Sequence, residues 1–118
     1  MNYLILLFLF LKYSFCLKEW WEDSKAVELN STNFKATLGN NKFLIVKFYT
    51  KWCHYCKILA PTYDQLVEKV QEKNKTDLVT ISRLEANSNN EIAMIYGIYS
   101  FPTIIMFDKS GKPVSLYE

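Results

Sequence analysis

Phe43 to Lys57 read FLIVKFYTKWCHYCK, a run that changes character halfway. Phe43–Tyr49 is β-branched and aromatic with almost no polar alternation, the pattern of a central strand covered on both faces. Leu59, Tyr63, Leu66 and Val70 then recur at spacings of four, three and four, which predicts a helix from Cys53 to about Glu72 with one apolar face. Pro61 falls inside that helix and is expected to kink it. The first of two cysteines three positions apart therefore sits where a buried strand hands over to a helix.

That position carries chemistry. A helix N-terminus offers partial positive charge and unpaired N–H groups, so a thiolate at Cys53 is stabilised and its pKa drops below the free value of about 8.5. Cys56 lies one helical turn on, close enough to form a disulfide with Cys53 with little backbone movement. Attack by Cys53 on a substrate disulfide would form a mixed disulfide, which Cys56 would resolve. Two other readings of the pair remain. A structural metal wants four Cys or His ligands, and beyond Cys16, which falls in the apolar leader, the chain adds only His54, wedged between the cysteines, so no metal is expected. Two inert buried thiols are the blander reading, against which the strand-to-helix position speaks.

Outward from this stretch, Ala26–Leu29 predicts a short strand, and Asn30 or Ser31 caps a helix through Leu38 that ends at Gly39-Asn40-Asn41. Downstream come a polar loop at Lys73–Asp77, an alternating strand at Leu78–Leu84 and a short helix at Asn89–Tyr96, ended by Gly97. Thr103–Phe107 and Val114–Tyr117 read as a hairpin about Lys109-Ser110-Gly111-Lys112. The order βαβαβαββ implies an α/β fold, parallel in its first half through right-handed crossovers and closed by an antiparallel hairpin. With 118 residues, half of them apolar, the chain has room for one domain and one core.

The first residues differ in kind. Tyr3–Leu11 is an unbroken apolar run closed by Lys12, then Ser14-Phe15-Cys16 precedes the charged Lys18-Glu19. This predicts a secretory signal peptide over residues 1–16, cut after Cys16, since a spanning anchor needs about 20 apolar residues. Residues 17–25 form a lead-in in which Trp20-Trp21 are expected to pack on a domain edge, and 26–118 form the domain. After the cut only Cys53 and Cys56 remain, on a route whose oxidising compartments let such a pair cycle. Asn30-Ser31-Thr32 and Asn74-Lys75-Thr76 are candidate N-glycosylation acceptors. Fourteen basic and twelve acidic residues are interleaved, so neither nucleic acid nor, after the cut, a membrane is an expected partner.

Phe48 to Pro61 resembles the FYAPWCGHCKxLAP signature of the protein disulfide isomerase family, thioredoxin-fold enzymes of the endoplasmic reticulum. The likeness continues through Val27-Glu28-Leu29 with Asn33-Phe34, through Arg83-Leu84-Glu85-Ala86, and through Tyr96-Gly97-Ile98 with Phe101-Pro102-Thr103. It implies a thioredoxin fold with a central mixed sheet, and a thiol–disulfide oxidoreductase that needs no cofactor and acts on cysteine-containing client proteins. It also implies a cis peptide before Pro102 and a substrate groove bordered by Trp52, Phe101 and Pro102. A localisation in the endoplasmic reticulum lumen, or secretion, follows from the same resemblance. A non-catalytic, chaperone-like binding module of the same fold is the alternative.

Four departures from the family qualify this. His54-Tyr55 replaces Gly-His between the cysteines, and a protonated His54 beside Cys53 is expected to favour the thiolate. Lys47 stands where the family keeps a buried carboxylate that serves the second cysteine, so resolution is expected to slow unless burial makes Lys47 neutral. The simpler expectation is that Lys47 carries its charge out to water along its flexible stem. Tyr99 occupies the place of a mobile arginine. The family's last helix does not follow Val114–Tyr117, so one sheet face is expected to be open to a partner or a second copy.

Overall fold

The computed structural model describes residues 2–6, 18–40 and 42–117. The expected signal segment falls mostly outside them, as does its cut after Cys16; residues 3–6 form a single helical turn. No helix among the described residues is long and apolar enough to cross a membrane.

Five strands form one mixed sheet: β1 (Val27–Leu29), β2 (Phe43–Tyr49), β3 (Val79–Glu85), β4 (Thr103–Asp108) and β5 (Pro113–Tyr117), in the order β1-β3-β2-β4-β5. β1 and β2 both pair with β3 in parallel, and β4 joins β2 and β5 antiparallel. The unalternating FLIVKFY run is the middle strand of the five, flanked by β3 and β4.

Helices cover both faces. Phe34 and Leu38 of α1 (Phe34–Asn40) and Ile92 and Ala93 of α3 (Asn90–Ile95) close over Leu44, Val46 and Phe48 of β2. On the other face Tyr63 and Val67 of α2 (His54–Glu72) pack on Ile81 and Ile45. Full burial of side chains such as Phe48, Leu84 and Phe107 contributes roughly 1.5–3 kcal/mol each.

Two elements differ from the expectation. α1 starts at Phe34 because Asn30 Oδ1 accepts from the amides of Thr32 and Asn33, locking a separate turn ahead of the helix. It also continues through Gly39, beside which there is open space. β3 does not alternate: Ile81 through Glu85 are all buried, since strands flank it on both edges and helices cover its faces.

Gly97 follows α3 at φ +64°, a conformation that an L side chain adopts at a cost. Gly97→Ala is expected to lower stability by about 1 kcal/mol, read from the urea midpoint.

Candidate active site

β2 ends at Tyr49, and Thr50-Lys51-Trp52 carry the chain to Cys53, which caps α2 with φ −78° and ψ 111°. The Cys53 Sγ accepts a hydrogen bond from the Cys56 amide at 3.1 Å, so the sulfur itself satisfies one of the orphan donors of the first turn. Cys53 and Cys56 are joined in a disulfide with their Cα atoms 5.2 Å apart. Cys53 is 6% exposed and Cys56 not at all. One sulfur thus borders the surface and the other lies beneath it, under the positive end of a 19-residue helix.

Around Cys53 the other candidate residues are surface groups. Trp52 is exposed and stands edge-on to Phe101 at 6.2 Å, and half-buried Phe101 packs against the disulfide cluster. The Phe101–Pro102 peptide is cis. His54 and Tyr55 are both exposed, their rings 5.9 Å apart. Because water surrounds His54, His54→Ala is expected to raise the Cys53 thiol pKa by no more than about 0.5 unit. Thiolate absorbance followed against pH checks this. Asn30 and Asn74 are exposed, and Tyr99 projects into solvent.

Lys47 does not reach water, contrary to the simpler expectation: it is 2% exposed. Alternation along β2 turns Ile45, Lys47 and Tyr49 toward α2. The helix then holds the Lys47 ammonium 4.6 Å from the centre of the Tyr63 ring, with the Tyr49 ring 5.9 Å away. Burial pulls the Lys47 pKa down to about 8, the Arg83 charge pulls the same way, and Asp64 and Glu28 oppose it. Burial likewise pushes the Tyr49 and Tyr63 phenols upward, so both stay neutral donors. The Tyr63 hydroxyl donates to the Ser82 carbonyl and the Tyr49 hydroxyl to Glu28.

Several residues near the pair had no assigned role in the sequence reading. Arg83 lies beside Lys47 in register and opposite Glu28 on β1, with its Nε 2.7 Å from Glu28 Oε2. Glu28, Arg83 and Lys47 therefore form one row across the α2 face of the sheet. Trp20 and Trp21, expected to pack on a domain edge, do so against the cluster of Tyr49, Cys53 and Cys56. Strand parity could have placed Tyr49 and Lys47 on one face, but the register that brings Arg83 alongside is tertiary.

Residues 25–118 match the thioredoxin family. The chain is 35% identical over 92 residues to protein disulfide-isomerase 1 of Caenorhabditis elegans, covering 78% of this chain and 18% of that protein. It is 34% identical over 99 residues to a protein disulfide-isomerase of Ricinus communis, covering 82% and 20%. A solved structure of human ERp44 in a zinc-bound form superposes with a TM-score of 0.74 at 25% identity, over 80% of this chain and 26% of that one. The chain thus spans about a fifth of the length of the curated relatives it matches. A CxxC disulfide at a strand-to-helix junction, the mixed five-stranded sheet and the match over residues 25–118 agree: this chain belongs to the thioredoxin family and carries a domain similar to those of protein disulfide isomerases.

Proposed function

We propose that the chain is a thiol–disulfide oxidoreductase of the protein disulfide isomerase type, exchanging electrons with cysteines of client proteins in the secretory pathway. The observation that carries this is the Cys53–Cys56 disulfide at the head of α2, with Cys53 the more exposed of the two and its sulfur hydrogen-bonded to the Cys56 amide. In the reduced protein the Cys53 thiolate attacks a client disulfide, and one client sulfur leaves with the electron pair and takes up a proton. Cys56 then gives up its proton and attacks Cys53 Sγ. The mixed disulfide breaks, the second client thiol departs, and the Cys53–Cys56 bond is restored. The pair itself carries the two electrons, so the exchange calls on no cofactor.

Trp52, Phe101 and Pro102 border the groove in which a client chain lies; buried Lys47 tunes the pair from within, and exposed His54 and Tyr55 do so only weakly. With its pKa near 8, Lys47 is neutral in a minor fraction of molecules at neutral pH, and in that form its lone pair can take up the Cys56 proton. The apolar leader and the likeness to protein disulfide isomerases support removal of residues 1–16 and residence in the endoplasmic reticulum lumen or outside the cell, with Asn30 and Asn74 as glycan acceptors.

Insulin reduction with glutathione as the electron source tests the activity. Cys53→Ser is expected to lower turnover by about a thousandfold, to background. Binding of unfolded chains by the wild type without turnover would instead mark a chaperone-like module whose disulfide stays idle.

A further inference from the structure

Residues 18–24 precede the stretch matched to the thioredoxin family, yet Trp20 and Trp21 pack on the cluster that includes its redox pair. The Trp20 ring stands edge-on to Tyr49 at 5.8 Å and to Trp21 at 5.7 Å, and both indoles pack on the cluster that holds Cys53 and Cys56. Three elements pin this segment. From β3, Arg83 Nη1 donates to the Trp21 carbonyl. From α2, Asp64 Oδ1 accepts from the Ser24 hydroxyl at 2.9 Å and from the Lys25 amide at 3.1 Å. From the loop before Cys53, the Lys51 ammonium sits 5.4 Å from the Trp21 ring.

The anchors make a strap of what would otherwise be a loose lead-in. An indole covers a large area and loses little conformational entropy on ordering, so two of them side by side form a stiff wall. Phe101 and exposed Trp52 line the approach to Cys53. Trp21 also lines a cleft of about 380 Å³ with Tyr49, Lys51, Arg83 and Glu85.

We propose that the Trp20–Trp21 strap is a specificity-determining wall of the redox site, which seals Cys56 so that outside thiols and disulfides react only at Cys53. The proposal rests on the oxidoreductase reading. In thiol–disulfide exchange the incoming sulfur must approach along the line of the bond it breaks, so the accessible sulfur of a pair decides which one is attacked. Attack at Cys53 Sγ forms the client–Cys53 bond, and Cys56 leaves with the electron pair into the interior, poised to resolve. Attack at Cys56 would release the Cys53 thiolate and require the client sulfur to enter the interior, where Cys56 is fully buried. The strap, with the first turn of α2, closes the second route.

Iodoacetamide tests the wall, because its iodide is displaced only by a thiolate the reagent can reach. In Cys53→Ser protein, the alkylation rate at Cys56 is read by mass spectrometry of the peptide that carries it. Adding Trp20→Ala and Trp21→Ala is expected to raise that rate by about tenfold or more, and Trp20→Phe with Trp21→Phe to bring it back to within about threefold of the parent. Circular dichroism and the thermal midpoint establish that each variant is folded. A rate within about twofold of the parent in the folded double-alanine variant overturns the proposal. If that variant does not fold, Ser24→Ala with Asp64→Asn loosens the strap and leaves both indoles in place. There the expected rise is about threefold, and an unchanged rate is equally fatal. Wild-type insulin reduction is scored separately. Its absence would sink the oxidoreductase reading while leaving the sealing of Cys56 to be decided by alkylation.

Discussion

Cys56→Ala is expected to halt the protein midway through its reaction, with the client held on Cys53 by a disulfide. The buried sulfur of Cys56 lies one helical turn from Cys53, with the Cα atoms 5.2 Å apart. Its attack is therefore intramolecular and free of the entropy of bringing two molecules together. Without it, release depends on glutathione arriving from solution at Cys53. Insulin turnover should fall by about a hundredfold or more, and a client adduct should appear on a non-reducing gel and vanish with reductant. Unchanged turnover with no adduct would mean that Cys56 is not the resolving thiol.

Lys47→Met is expected to stabilise the protein at neutral pH and to remove most of a pH dependence that the wild type shows in alkali. In the fold the Lys47 pKa is about 8, whereas an unfolded lysine keeps its ordinary value of about 10.4. Folding therefore disfavours the protonated form. Below about pH 8 both states hold the proton and the penalty is present in full; between about 8 and 10.4 only the unfolded state holds it, so stability rises with pH; above that the penalty is gone. The rise amounts to at most about 3 kcal/mol. A methionine of similar length puts a thioether against the Tyr63 and Tyr49 rings with no charge to desolvate, worth about 2 kcal/mol at pH 7. Urea denaturation of both proteins from pH 7 to 10.5 checks this, the other titrating groups cancelling in the difference. Parallel profiles would show that the amine is solvated in the folded protein.

How far the sequence speaks depends on the range of the interaction. The Phe43–Tyr49 strand was legible because burial on both faces leaves an apolar run interrupted only by Lys47, and the 54–72 helix because its apolar residues recur at helical spacing. The redox pair was legible from spacing and from where it falls between these two elements. Leu78–Leu84 read as alternating because Thr80, Ser82 and Arg83 interrupt its apolar residues, yet Ser82 and Arg83 are buried: Ser82 donates to the Ile45 carbonyl and Arg83 pairs with Glu28. Local patterns cannot reveal a partner 37 or more residues away, such as Ile45 for Ser82 or Trp21 for Arg83. The same limit hid Trp20 and Trp21, whose contacts lie across the sheet end and not along the chain. Lys47 was singled out from the sequence, but its burial follows from α2 lying over β2, which no window around residue 47 contains.

The row of Glu28, Arg83 and Lys47 across the sheet has a consequence for the solution in which the protein works. Arg83 and Lys47 are both buried away from mobile ions, while the carboxylates that face Lys47, Glu28 and Asp64 of α2, lie nearer the surface. Exposed charges lose most of their reach at physiological ionic strength, where the Debye length is about 8 Å, but buried ones are screened far less. The lowered pKa of Lys47, whose largest cause is burial, is therefore set by the interior of the protein, and changes in the salt around it should leave it largely as it is.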